Sequence, residues 1–270
     1  MEKIIRGTVV TDSETSGGKA VFCDFYSVVK KGHYECGDSA FVYYDERKAI
    51  FAVFDGVSGE GGASEASSVA AEAVLGSLKK HDKIDEEKMK QAIMDAQSKV
   101  VVGLTTAAIV FLQKDGHFLM AGIGDSPVFS IDSKGHISSE LPLGRLVKDM
   151  DAVLKFFYYR NIVTSVIGQS DSELSFNMRQ GKLAKGEIFI LASDGLSDNL
   201  YVKTGEGYVI DSSGTEDLAS LIGKERAPKA IVGLLMEEIA KRLNTGRVEL
   251  KQSLLIPKED DIAIIAVRKL

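Results

Sequence analysis

Aspartates recur in this chain beside glycine or serine at the ends of apolar runs. They read Phe51-Ala-Val-Phe-Asp55-Gly56, Ala121-Gly-Ile-Gly-Asp125-Ser126 and Ile188-Phe-Ile-Leu-Ala-Ser-Asp194-Gly195. Two more precede apolar runs, as Cys36-Gly-Asp38-Ser39 and Glu259-Asp260-Asp261. The end of a buried strand is a rigid mount for a ligand, and glycine lets a backbone carbonyl approach a bound ion closely. Hard divalent cations such as Mg2+ and Mn2+ take oxygen ligands of this kind. One aspartate-glycine pair after a strand is ordinary turn chemistry. Five acids meeting at one sheet edge are different, because their mutual repulsion is costly without cations among them.

The elements that would position these acids are visible as hydrophobic patterns. Ala40-Phe-Val-Tyr-Tyr and Ala49-Ile-Phe-Ala-Val-Phe54 flank the polar turn Asp45-Glu-Arg-Lys, which predicts a hairpin. Residues 106–112 and 118–123 flank a second turn with Asp115-Gly116 at its tip. Further strands are predicted over 128–131, 187–192 and 262–267. Several are apolar at consecutive positions, which implies burial on both faces. Helical spacing appears over 63–80, from Asp85 as N-cap onward, and from Pro228 as first helical residue. Hairpins follow one another without strand-helix-strand alternation. The expected fold is therefore α+β: two antiparallel β-sheets packed as a sandwich and flanked by helices, with residues 1–270 as one domain.

Composition removes other classes. The 270 residues are 44% hydrophobic and 27% charged, which sets disorder and fibrous folds aside. Thirty-three basic against thirty-nine acidic residues give a formal charge of −6, the wrong sign for holding nucleic acid by the overall field. No apolar run reaches membrane-spanning or signal-peptide length, so neither nucleic acid nor a membrane is an expected partner. The two cysteines, Cys23 and Cys36, cannot build a disulfide scaffold or a four-cysteine zinc site. A reducing, cytoplasmic setting is expected.

The ordered pieces CGDSAF at 36–41, VFDGVSGEGG at 53–62, LTTAAIVF at 104–111, AGIGDS at 121–126, RNIVTSVIG at 160–168, ILASDGLSDNL at 190–200 and EDDIAIIAV at 259–267 span nearly the whole chain. Together they resemble the metal-dependent serine/threonine protein phosphatases of type 2C, in their bacterial form. The resemblance implies hydrolysis of phosphoserine or phosphothreonine in a phosphorylated protein by a metal-bound water, with two Mg2+ or Mn2+ ions and a third, weaker site. Residue by residue it implies Asp55 as the carboxylate bridging two metals and Gly56 as a carbonyl ligand. Asp194 and Asp260 become further metal ligands, Asp38 an acid acting through water, and Asp125 the acid of the third site.

Departures from the family pattern fall on the substrate side. His33 stands where an arginine usually grips the substrate phosphate, and Val57 where animal members place a histidine as general acid. Histidine offers one donor and a fading charge where arginine offers a permanent fork. These departures keep two alternatives open. One is a catalytically weak or inactive phosphatase-like binding module; the other is a switch phosphatase dedicated to one phosphorylated regulator. Residues 141–167, with the aromatic cluster Phe156, Phe157, Tyr158 and Tyr159, match the region that forms a flap beside the metals in the family. His81, His117 and His136 read as surface residues. Cys36 reads as a buried packing residue in preference to a reactive thiol.

Overall fold

The computed structural model describes all residues except 11, 33, 58–60, 142–162, 164, 169–173, 205–206, 211–214, 246–247, 251–252 and 256; for 9, 201–204, 207–210, 245, 248–250 and 253–255 it describes the backbone alone. The chain opens with β1 (Glu2–Ile5), β2 (Ser13–Lys19), β3 (Cys23–Lys30), β4 (Ser39–Tyr44) and β5 (Lys48–Phe54). Two helices follow, α1 (Ala63–Leu78) and α2 (Glu86–Lys99). Then come β6 (Ala107–Gln113), β7 (His117–Ile123), β8 (Val128–Ile131), β9 (Ile137–Ser139), β10 (Asn177–Lys182) and β11 (Ile188–Ala192). The last third holds the single turn α3 (Asp194–Ser197), β12 (Tyr201–Thr204), β13 (Gly207–Ile210), α4 (Thr215–Ile222), α5 (Pro228–Thr245), β14 (Val248–Leu250), β15 (Ser253–Leu255) and β16 (Ile262–Lys269).

The strands form two six-stranded antiparallel sheets, ordered β1-β4-β5-β6-β7-β10 and β2-β3-β16-β11-β8-β9; β12-β13 and β14-β15 are small separate hairpins. The expected hairpins are present as β4-β5 and β6-β7. Asp45 closes the first turn by accepting the backbone N–H groups of Arg47 and Lys48 at 2.8 and 3.0 Å. Gly116 turns the second at φ +92°, where an added Cβ would lie 2.4 Å from the Leu183 carbonyl. Asp85 caps α2 by accepting the Lys88 N–H at 2.9 Å.

Period-two alternation sorts the side chains into three cores. From β5, Ala49, Phe51 and Val53 meet Ala263, Ile265 and Val267 of β16 between the two sheets. The other face of β5, Ile50, Ala52 and Phe54, packs on Ala70, Val74 and Met89 of α1 and α2. The other face of β16, Ile262, Ile264 and Ala266, packs on Leu218 of α4 and Ile231 and Leu235 of α5. The result is a helix-sheet-sheet-helix stack, and the continuous apolar strands are its two middle layers. Among the described residues no helix is long and apolar enough to cross a membrane.

Residues before 31 supply three strands, β1, β2 and β3, beyond the runs expected from the sequence. β2 reads SETSGGK and is an edge strand with a largely exposed burial pattern. Its register is dictated by β3, which in turn pairs along its full length with β16. Phe51 is fully buried in the central core, 5.8 Å from Phe25 between ring centroids. Phe51→Ala should lower unfolding free energy by about 3–5 kcal/mol in urea titration. A loss under about 1 kcal/mol would show that the two sheets do not depend on this contact.

Candidate metal centre

Topology brings the acids to one edge. β5 and β7 both run antiparallel to β6, so Asp55 and Asp125 leave the sheet on the same side. β4 starts opposite the end of β5, with Ser39 paired to Phe54, which sets Asp38 beside Asp55. In the second sheet β11 ends where its antiparallel partner β16 begins, and this joins Asp194 to Asp260. The sheets meet here. The Asp194 N–H lies 3.4 Å from Asp55 Oδ2, its acceptor.

The electrostatics follow from this crowding. Burial, then Asp194, Asp38, Asp125 and Asp260 in that order, hold the Asp55 carboxyl well above its ordinary value. Burial likewise pushes Asp38 up, opposed by a hydrogen bond from Ser193 and reinforced by Asp261, Asp260 and Asp194. Asp38 is 1% exposed, yet its Oδ2 has no hydrogen-bond partner. A buried carboxylate oxygen with spare acceptor capacity fits a place beside a hydrated cation. Asp260 is also raised, by burial first and then Asp194, with Lys258 opposing.

Neighbouring groups hold the frame. Asp261 accepts the Gly32 and Gly37 backbone N–H groups at 2.7 and 2.6 Å, fixing the loop that carries Asp38 to the one that carries Asp260. Gly56 lies in a bridge with Thr105, and an added Cβ would sit 2.4 Å from the Ala63 carbonyl and 2.6 Å from that of Gly37, so only glycine fits. The Asp55 carbonyl accepts from Thr105 Oγ1 and the Thr106 N–H, both at 2.8 Å. Thr105 also exchanges backbone hydrogen bonds with Ile167, at 3.0 and 2.8 Å.

Two groups here were not singled out from the sequence as site residues. Lys258 sets its ammonium 2.6 Å from both Asp194 Oδ2 and Asp260 Oδ2, and 3.3 Å from Asp198 Oδ2. Burial by itself would lower this lysine, but Asp194, Asp198 and Asp260 outweigh it and hold Lys258 firmly protonated. Asp198 follows Asp194 by one helical turn, and that i,i+4 spacing was the available signal. Nothing local marks Lys258 except its place two residues before Asp260.

The donor set suits a hard divalent cation, being all carboxylate with a glycine carbonyl nearby. In the arrangement seen, no group of three Asp, Glu, His or Cys side chains among the described residues is set to hold a metal ion. The Lys258 ammonium lies between Asp194 and Asp260 instead. His33, residues 58–60 and the aromatic cluster 156–159 lie outside the described residues. His117 and His136 pair with Asp115 and Asp132 on the surface. Both thiols are buried, and burial followed by Asp24 pushes Cys23 up to about 12. Burial and then Asp38 push Cys36 up, so neither is a nucleophile at neutral pH.

The family described as Protein phosphatase 2C matches residues 30–236. Similar folds are found in RsbX solved with magnesium, at 17% identity over 95% of this chain and 100% of that one, TM-score 0.62. The catalytic domain of the serine/threonine phosphatase PstP, solved with two manganese ions, aligns at 16% identity over 92% and 99%, TM-score 0.63. The phosphatase domain of SpoIIE from Bacillus subtilis aligns at 19% identity over 96% of this chain and 64% of that one, TM-score 0.59. No curated protein sequence matches significantly. The chain belongs to the protein phosphatase 2C family, whose members are Mg2+- or Mn2+-dependent serine/threonine protein phosphatases.

The raised carboxyls set a pH dependence for the metal-free protein. Asp38 and Asp55 bind protons more readily folded than unfolded, so stability is present while they are protonated. It is lost as pH rises through their folded values, which lie above the ordinary 3.8. The raised Lys258 does not oppose this, because its contribution is complete below its ordinary 10.5. In chelator, Tm should therefore be higher at mildly acidic than at mildly alkaline pH. A flat profile would mean that the carboxyls do not crowd as described.

Proposed function

We propose that this chain carries out its family's reaction at the acidic edge, with Asp55, Gly56, Asp194 and Asp260 holding Mg2+ or Mn2+. Asp125 serves a third site, and Asp38 orients the attacking water. The observation that carries the reading is the convergence of Asp38, Asp55, Asp125, Asp194 and Asp260, with a buried Asp38 oxygen left unpartnered. When bound, the ions neutralise the acids and lower the pKa of the water they hold.

The chain's own residues supply the rest. Ser193 hydrogen-bonds the Asp38 carboxyl and also accepts the Ala263 N–H at 2.9 Å, so the acid is held from β16. This leaves Oδ2 to accept a hydrogen bond from water and orient its lone pair toward phosphorus. In the hydrolysis a water oxygen–phosphorus bond forms as the phosphorus–seryl oxygen bond breaks, and a proton lost by the water ends on the released seryl oxygen, giving serine and inorganic phosphate. His33 is the proposed contact to the substrate phosphate. Residues 141–167 are proposed to form a flap beside the centre. In support, Leu141 is buried in the inter-sheet core at one end, and Ile167 bonds Thr105 beside Asp55 at the other.

We take residues 1–270 to act as one domain, in the cytoplasm, on a phosphorylated protein and not on nucleic acid or a membrane. The acidic balance, −6, supports the exclusion of nucleic acid.

The test is release of phosphate from phosphoserine and phosphothreonine peptides with and without Mn2+. Wild type should show Mn2+-dependent release, and Asp55→Asn or Asp194→Asn should abolish it. Mn2+ at about 100 times Kd should also stabilise the wild type by about 2.7 kcal/mol, seen as a rise in Tm absent from both variants. Mn2+-independent release, or a Tm that Mn2+ leaves unmoved, would overturn the assignment.

A further inference from the structure

Lys258 is held as firmly as the acids it pairs with. Asn199, which is 1% exposed, grips its backbone in both directions. The Asn199 Nδ2 donates to the Lys258 carbonyl and its Oδ1 accepts the Lys258 N–H, each at 3.0 Å. The same Nδ2 donates to the Gly195 carbonyl at 2.9 Å, so the residue after Asp194 and the residue two before Asp260 share one clamp. Asn199 is itself fixed, because Arg242 donates to its carbonyl while pairing with the buried Asp217. The ammonium is thus delivered between Asp194, Asp198 and Asp260 by a buried polar network, and its side chain is only 18% exposed.

We propose that Lys258 is a built-in competitor for the divalent cation at the Asp194–Asp260 half of the centre. The ammonium neutralises these acids when that half is empty, and it must swing out before a metal ion can take their oxygens. Two cations cannot share the same carboxylate oxygens 2.6 Å from an ammonium without strong repulsion. Occupancy of this half then depends on the balance between a tethered cation and a free one, which weakens the apparent metal affinity by the fraction of molecules with the lysine withdrawn. The other half, at Asp55 and Gly56, has no such rival in the contacts of Lys258. The proposal rests on the metal-binding reading above and goes further, by making metal loading unequal and self-limited.

The test is Mn2+ binding by the full chain, measured calorimetrically for wild type, Lys258→Met and Lys258→Arg. Lys258→Met should tighten the weaker Mn2+ site roughly ten-fold or more and lower the metal-free Tm, while Lys258→Arg stays near wild type. Wild type gives a second readout that needs no variant. Acetylation of Lys258 by acetic anhydride, followed by mass spectrometry, should rise as Mn2+ is added, while the 74% exposed Lys241 serves as an unchanging reference. Equal Mn2+ affinity in all three proteins, or Lys258 labelling that stays constant as Mn2+ saturates, would overturn the competition alone. Failure of every protein to bind Mn2+ would overturn both this proposal and the metal-binding reading beneath it.

Discussion

Like charges forced together out of water are the constraint on which this structure turns. Asp38 and Asp125 are nearly inaccessible, and Asp55 feels four other carboxylates. A buried anion without a counter-charge either takes up a proton or finds a cation, since desolvation is otherwise prohibitive. Both responses are present in the molecule. Asp38 and Asp55 lean toward the protonated form, whereas Asp194, Asp198 and Asp260 gather around an ammonium. The cluster therefore has two electrostatic neighbourhoods, one whose carboxyls are pushed toward the protonated form by burial and one held together by a side-chain ammonium.

Only a stiff frame can hold such repulsion in place. The three cores serve this purpose, because each strand that ends in an acid is buried on both faces and cannot tilt away from its neighbours. Backbone bonds finish the work at the edge itself. Asp261 ties Gly32 and Gly37 to the start of β16, and Thr105 ties the Asp55 carbonyl to Ile167. The site is polar, but its geometry is set by apolar packing a few residues away.

Sequence reasoning reached the parts whose signal is local. The hairpins β4-β5 and β6-β7 announce themselves by apolar runs flanking polar turns, the second with Asp115-Gly116 at its tip, and α2 by Asp85 as its cap. Asp55, Asp125 and Asp194 were visible because each interrupts an apolar run with a charge. The fold class followed from successive hairpins. What escaped was relational. β2 is polar because an edge strand has little to bury, so SETSGGK carries no period. Lys258 looks like an ordinary charged loop residue until Asn199, fifty-nine positions earlier, fixes its backbone. Asp261 could be placed only as a neighbour of Asp260, because its role depends on amides 229 and 224 positions away.

Strand β16, residues 262–269, lies between β3 and β11 rather than at a border. β3 and β11 are joined only through this strand, which pairs with both. Pairing between strands as far apart in the chain as β3 and β16 is slow, since chain entropy is surrendered before contacts repay it. Asp260 and Lys258 sit just ahead of this strand, so the pairing that joins the two halves of the sheet also carries them to Asp194.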